Sequence, residues 1–253
     1  MLAFLACALV LASDPAVTVK TPQERQVVQR TERPTTPVPV EVVAPTGIGR
    51  LVASARPTAG GQELASAELV RVEGARGETS SFTTKLALPP GGWYRLAISV
   101  DGIAGPVEVA HVERFGVGEV FVVAGQSNSS NYGEEKIPAL DDRVSAFDGE
   151  RWSMAADPMP GVQDGSAGGS PWVICGKDLV AAWNVPVAFA SCGYGGTSIQ
   201  QWQKLASPLE GQKLPLYAAL AQRVKALGGI RAILWHQGES DANGGVSTAE
   251  YAS

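Results

Sequence analysis

Gly118-Glu119-Val120-Phe121-Val122-Val123-Ala124-Gly125-Gln126-Ser127-Asn128 is the stretch from which the fold can be read. Val120 to Ala124 is an unbroken apolar run, β-branched or aromatic at four of its five positions. Such a run fits a strand buried on both faces, as in a parallel sheet covered by helices. Gly125 then lets the backbone turn where a side chain would clash, and the Ser and Asn that follow favour a turn or a helix start. A hydroxyl, that of Ser127, is thereby offered at the carboxyl end of a buried strand, where open α/β sheets hold their ligands. Capping of the next turn would equally place a serine there, so this stretch alone does not assign chemistry.

Working outward, the chain after Gly118 alternates apolar strands with helical patterns, which argues for a mostly parallel sheet. Arg143 to Phe147 reads as a strand, and the Gly-rich segment 161–170 as a mobile loop. Pro171 fits the first turn of a helix running to about Trp183, and Val185 to Ser191 is another buried strand. Pro215 opens a second helix with Tyr217, Leu220, Val224 and Leu227 along one face, ended by Gly228-Gly229. Ile230 to Trp235 is a further strand. Three strands thus end in polar, glycine-bearing turns: Gly125-Gln126-Ser127-Asn128, Cys192-Gly193-Tyr194-Gly195-Gly196-Thr197-Ser198 and His236-Gln237-Gly238-Glu239-Ser240-Asp241. In a parallel sheet these fall on one edge and can converge. Acyl transfer needs a nucleophile, a base and N–H donors for an oxyanion, and these turns hold a hydroxyl, small residues, an amide and a histidine.

Before Gly118 the pattern is all β. Short runs recur at Val17–Val19, Val38–Val43, Arg50–Ala55, Leu64–Val72, Ser81–Leu88, Trp93–Val100 and Val107–Val112, separated by turn clusters such as Pro89-Pro90-Gly91-Gly92. This spacing suggests a β-sandwich. Pro39 demotes the second run to an edge strand. Tyr94, Leu96 and Ile98 are expected on one face of the clearest strand.

The chain of 253 residues suffices for one large or two small domains. With 45% hydrophobic and 18% charged residues it is globular, and its net charge of −5 without a basic run disfavours nucleic acid and anionic membrane as partners. Met1 to Ala12 is apolar but too short to span a bilayer. It is similar to the core of a secretory signal peptide, with Val10-Leu11-Ala12 as a cleavage site, although the basic n-region is missing. Export to the periplasm or beyond is therefore expected. Cys7 would leave with that segment, and Cys175 and Cys192 are read as separate buried thiols rather than a disulfide. Metal-ligand spacing, a phosphate loop and a dinucleotide fingerprint are all missing, so no metal or cofactor is expected. The Gly-x-Ser-x-Gly elbow is also missing, since Ser129 stands at its second glycine.

Gly125-Gln126-Ser127-Asn128 after a buried strand, Gly195-Gly196-Thr197-Ser198 in the middle and Trp235-His236-Gln237-Gly238-Glu239-Ser240-Asp241 later resemble the SGNH-hydrolase superfamily. Within it they look like the sialate O-acetylesterase and acetylxylan-esterase branch of carbohydrate esterases. The β-rich half is similar to the accessory domain of many such bacterial proteins. The resemblance implies a multidomain β plus α/β architecture: a signal-like segment (1–14), a β-sandwich (15–117) and an SGNH-type three-layer α/β/α domain (118–253), incomplete at its C-terminus. It further implies Ser127 as nucleophile, the Ser127 and Gly196 N–H groups with the Gln237 side chain as oxyanion donors, and Glu239 orienting the histidine or supporting its loop. Asn128 is read as fixing the turn.

The resemblance also implies a catalytic histidine in an Asp-x-x-His near the C-terminus, and this sequence has none. Either His236 is the base or the chain is incomplete. Ser247-Thr248-Ala249-Glu250 has the form of a capping box opening a helix that Ser253 cuts short, which favours the second. If Gln237 faces the oxyanion, His236 should then face away from the pocket, because neighbours on an extended backbone point to opposite sides. The expected activity is removal of acetyl groups from sialic-acid-type or xylan-type carbohydrate through an acyl-enzyme on Ser127. The alternative is a carbohydrate-binding or scaffold protein whose esterase fold is catalytically incompetent.

Overall fold

The computed structural model describes residues 17–72 and 77–252; the signal-like segment 1–14, with Cys7, lies outside them. In chain order the first half holds β1 (Thr18–Thr21), β2 (Val27–Gln29), β3 (Thr36–Pro45), β4 (Leu51–Pro57), β5 (Ala65–Glu68), β6 (Val70–Arg71), β7 (Thr79–Leu88) and β8 (Gly91–Gly102). β9 (Gly105–Gly125) follows. After it come β10 (Val144–Phe147), β11 (Trp152–Met154), α1 (Trp172–Trp183), β12 (Val187–Ser191), α2 (Leu216–Leu227), β13 (Ala232–His236), α3 (Glu239–Asn243) and α4 (Thr248–Tyr251). The chain is mostly β, with few helices and a large mixed sheet.

β9 organises that sheet. Its first half pairs antiparallel with β8, from Gly102↔Gly105 to Gly91↔Val117. Its second half pairs parallel with β12 on one side (Val187↔Glu119 to Ser191↔Val123) and β13 on the other (Ala232↔Phe121 to His236↔Gly125). The hydrogen-bonded path therefore runs β11-β10-β12-β9-β8-β4-β5 without a break, with β2 and β13 also on β9. The expected separate strands at Val107–Val112 and Val120–Ala124 are one strand of 21 residues, and the boundary placed between residues 117 and 118 falls inside it. Val120 to Ala124 is buried throughout, because β9 has neighbours on both edges and apolar clusters on both faces: Phe121 and Val123 on one, Val122 and Ala124 on the other.

The four-stranded sheet β1-β3-β7-β6 and the strands β4, β8 and β9 share one apolar cluster, with Val38, Val40, Val42, Leu86 and Leu88 meeting Leu51, Tyr94, Leu96, Ile98 and Phe115. Tyr94, Leu96 and Ile98 do lie on one buried face. β3 is not an edge strand, despite Pro39. It pairs with β7 along its length, while β1 reaches only Glu41, Val42 and Val43. On that side β3 has no strand partner at Pro37 or Pro39, so a residue without an N–H costs no ladder bond there. On α2 the buried residue is Leu216, with Leu220, Val224 and Leu227 packed partly behind it. Tyr217, expected on that face, is exposed. The Gly-rich segment 161–170 is tied down rather than loose. Asn131 Nδ2 donates to Met159 O (2.8 Å) and Ser166 O (3.2 Å), and Gln163 N donates to Gly193 O (3.0 Å).

At the middle of β9 stands Glu119, 1% exposed. Its carboxylate accepts from Arg30 Nε (2.5 Å), Gln29 Nε2 (2.8 Å) and both Nε and Nη2 of Arg231 (2.8 Å each). Arg30 and Gln29 lie at the end of β2, and Arg231 immediately precedes β13. One carboxylate therefore ties three chain segments. Burial opposes its ionisation, but hydrogen bonds from Arg231, Gln29 and Arg30, and the Arg30 charge, outweigh burial and hold its pKa below the usual carboxylate value. A depressed folded pKa contributes stability above the unfolded value of ~4.3, and that contribution is lost as pH falls through the folded value. Glu119→Gln should lower unfolding free energy by about 3 kcal/mol near neutral pH, leaving two guanidiniums without their carboxylate. Urea denaturation should show the gap between wild type and variant narrowing on acidification. Equal stability at neutral pH would contradict this account.

Candidate functional site

β9 ends at Gly125, and the geometry there admits only glycine. Its φ is +125°, and a Cβ would lie 2.0 Å from His236 O, which accepts the Gln126 N–H at 2.8 Å. β13 can therefore approach closely enough to bring its own terminal turn beside that of β9. Ser127–Ser129 then forms one 3-10 turn, with Ser129 N and Ser129 Oγ both donating to Gln126 O (2.9 and 2.7 Å). Ser127 is half-buried. Among the described residues neither its hydroxyl nor its main-chain N–H has a hydrogen-bond partner.

The turn after β12 is pressed against the first. Tyr194 N donates to Gly125 O (2.9 Å), and a Cβ on Gly193 would meet Ser129 Oγ at 2.4 Å. Gly195 N donates to Asp164 Oδ2 at 2.6 Å. Gly196 follows with φ +70°, exposed, and its N–H has no partner among the described residues. Thr197 is buried, with its hydroxyl donating to Tyr194 O (2.8 Å) and accepting from Trp202 Nε1 (2.9 Å).

The third turn locks the other two. Gln237 Nε2 donates to Thr197 O (2.9 Å), Gln126 Oε1 (3.2 Å) and Asp241 Oδ2. Gln126 Oε1 also accepts from Gly238 N (3.3 Å) and Ser240 N (3.1 Å), and Asp241 accepts from Ile199 N (2.9 and 3.2 Å). The parallel pairing of β12 and β13 with β9 thus brings all three turns together, as the sequence implies. The Gln237 amide is nonetheless turned inward. Its N–H groups face Thr197, Gln126 and Asp241, so they are already engaged rather than free for an oxyanion, while its Oε1 is buried without a partner among the described residues.

His236 and Gln237 do point to opposite sides, with the sides exchanged from expectation. His236 lines a depression of about 660 Å³ with Ser127 and Asn128, walled by Ile137, Pro171 and Ile174 and bordered by Glu135. Gly196 and Gln237 do not line it. Glu239 Oε1 accepts from Asn128 Nδ2 (2.6 Å) and lies 3.3 Å from His236 Nε2. Burial opposes ionisation of Glu239, but its own backbone N–H, Asn128 and His236 outweigh burial and lower its pKa. No hydrogen bond joins His236 to Ser127 Oγ among the described residues. Asn128 and Glu239 therefore link the first turn to the third.

Cys175 and Cys192 are free thiols, and burial pushes that of Cys192 up to about 12. Among the described residues no group of three or more His, Cys, Asp or Glu side chains could hold a metal ion, and no helix is long and apolar enough to cross a membrane. Gln126, Thr197 and Asp241 were not assigned roles from the sequence, although each stands inside one of the three motifs.

Residues 117–253 match a family model described as carbohydrate esterase, sialic acid-specific acetylesterase. Comparison with curated proteins gives no match. Among solved structures, the chain is similar to a carbohydrate acetylesterase from Xanthomonas citri, with 20% identity and a TM-score of 0.49 over 87% of this chain and 50% of that one. It is also similar to a protein from Arabidopsis thaliana, with 22% identity and a TM-score of 0.41 over 49% of this chain and 58% of that one. The chain thus spans about half the length of either.

Gly125→Ala should cost roughly 3 kcal/mol or more, combining a disfavoured φ with backbone overlap. Gly211, at φ +77° with open space around it, provides the control: Gly211→Ala should cost only about 1 kcal/mol. Equal losses in urea denaturation would show that the close approach of His236 does not constrain the turn.

Proposed function

Because the chain belongs to the sialic acid-specific acetylesterase family of carbohydrate esterases, we propose that it is a serine O-acetylesterase acting on acetylated carbohydrate. The observation that carries this reading is the free Ser127 hydroxyl at the meeting of three strand-end turns, beside a partly apolar depression. Ser127 Oγ attacks the acetyl carbonyl carbon and its proton passes to a base. The oxyanion accepts from the Ser127 and Gly196 N–H groups, which a preorganised site makes worth ~3–4 kcal/mol each. The intermediate expels the sugar oxygen, which takes up a proton, and water then cleaves the acetyl-enzyme to acetate and free Ser127. Ile137, Pro171 and Ile174 offer apolar surface to the acetyl methyl or a sugar face. Sialic-acid-type and xylan-type sugars both remain within this proposal.

Gln237 holds the turns in place rather than meeting the oxyanion, and Glu239 orients His236 and Asn128. His236 is assigned to the wall of the depression, since its Nε2 faces Glu239 and neither ring nitrogen bonds Ser127. The architecture is read as a β-sandwich joined to an α/β/α esterase unit, supported by the separate apolar clusters on either half of β9. Export is proposed from Met1–Ala12 alone.

The test is hydrolysis of p-nitrophenyl acetate and of acetylated oligosaccharides by the full chain. Ser127→Ala should abolish whatever ester hydrolysis the chain shows, whereas His236→Ala should stay within about tenfold of wild type. A His236→Ala loss as large as that of Ser127→Ala would make His236 the base. A folded wild type with no ester hydrolysis would favour the carbohydrate-binding or scaffold reading.

A further inference from the structure

Asp241 is a carboxylic acid buried to 3% exposure at the centre of the three turns. Among the described residues its partners are uncharged: Oδ1 and Oδ2 accept from Ile199 N at 3.2 and 2.9 Å, and Oδ2 accepts from Gln237 Nε2. A polar group that deep needs every bond it makes, and a lost partner costs more than an exposed one would. The segment it grips is held before Gly196 by Tyr194 N–H on Gly125 O and Gly195 N–H on Asp164, and after it by the Thr197 hydroxyl, by Gln237 on Thr197 O and by Asp241 on Ile199 N. Between the end of β12 and the 3-10 turn Ile199–Trp202 the backbone has no regular structure, and it carries Gly196 at φ +70°. The direction of the Gly196 N–H therefore depends on how Thr197 and Ile199 are held. Gln237 holds Thr197 O, and Asp241 holds both Ile199 N and Gln237.

We propose that Asp241 is a positioning residue for the esterase reaction: it fixes the Gly196 turn, directly through Ile199 and indirectly through Gln237, so that the Gly196 N–H points at the oxyanion. The proposal rests on the acetylesterase reading above. It touches neither substrate nor Ser127, and it acts when charge builds on the carbonyl oxygen. Its loss should therefore fall on turnover rather than on binding.

Asp241→Ala removes both grips. Asp241→Asn with its carbonyl oxygen at the Oδ2 position keeps an acceptor for both Ile199 N–H and Gln237 Nε2, and loses the charge and the longer Ile199 contact. The full chain and both variants would be compared for p-nitrophenyl acetate hydrolysis, with far-UV circular dichroism and peptide-resolved hydrogen exchange. The expected result is a kcat lowered roughly 10²-fold in Asp241→Ala, as for loss of an oxyanion donor, with Asp241→Asn between it and wild type. KM should stay within about threefold, and exchange should quicken over residues 194–203 while β9 keeps its protection. A folded variant whose kcat stays within about threefold of wild type, or whose KM rises as far as kcat falls, would overturn the proposal. If Asp241→Ala does not fold, Asp241→Asn decides alone, and failure of both to fold would make Asp241 a determinant of folding instead. No hydrolysis by wild type, or hydrolysis that survives Ser127→Ala, would instead overturn the esterase reading itself.

Discussion

Backbone hydrogen bonding along β9 limits where every other element can lie. Its first half faces β8 antiparallel and its second half faces β12 and β13 in parallel, so the change from hairpin-built to crossover-built sheet happens within one strand. Parallel partners need long connections and antiparallel ones do not, which is why α1 and α2 appear only after β9. Gly118 sits at this change. A Cβ there would lie 1.9 Å from Pro186 O, so the chain entering β12 can cross close to β9 only because that residue has no side chain. One position later, Glu119 gathers Gln29, Arg30 and Arg231. The same strand thus sets the pairing and holds the charge that binds β2 and β13 to it.

The site follows from that arrangement. Because β12 and β13 flank β9 in parallel and in register, their terminal turns reach the edge where β9 releases Ser127. Close packing at Gly125 and Gly193 lets the turns touch, and the polar groups of Gln126, Thr197, Gln237 and Asp241 then satisfy one another beneath the surface. Among the described residues the Ser127 and Gly196 N–H groups have no partner. In the proposed reaction such fixed dipoles would stabilise developing charge, because little needs to reorganise as the charge forms. Below the surface, the Gln237 Oε1 is buried without a partner among the described residues.

The sequence was legible where local pattern and tertiary context agree. The run Val120–Ala124 and the turn that follows declare a buried strand delivering a hydroxyl, and Pro171, Pro215 and Gly228 mark the two long helices within a residue or so. Legibility failed where distant residues compensate a local irregularity. The pattern changes at Gly118, where the two halves were divided, yet β9 runs through that point as one strand, and Arg30 and Arg231 reach the buried Glu119 there from distant segments. Pro39 reads as an edge signal, and β3 does lack a strand partner on one side there, yet β1 pairs β3 from Glu41 onward, so the strand as a whole is internal. At the site, the role of Gly196 came from the family resemblance alone, whereas the hydroxyl and the convergence of the three turns were readable from the strand pattern, and so was the alternation of His236 and Gln237. Which of the two would face Ser127 was not, since that depends on Asp241 and Thr197 drawing the amide inward.

Mass spectrometry of the full chain, quenched in acid during turnover of an acetyl ester and digested, asks whether Ser127 carries the acetyl group between sugar and water. An acetyl adduct is expected on Ser127, in the peptide that follows β9, vanishing when the ester is exhausted and missing from Ser127→Ala. Steady turnover with the adduct on another residue, or undiminished turnover by Ser127→Ala, would contradict that role.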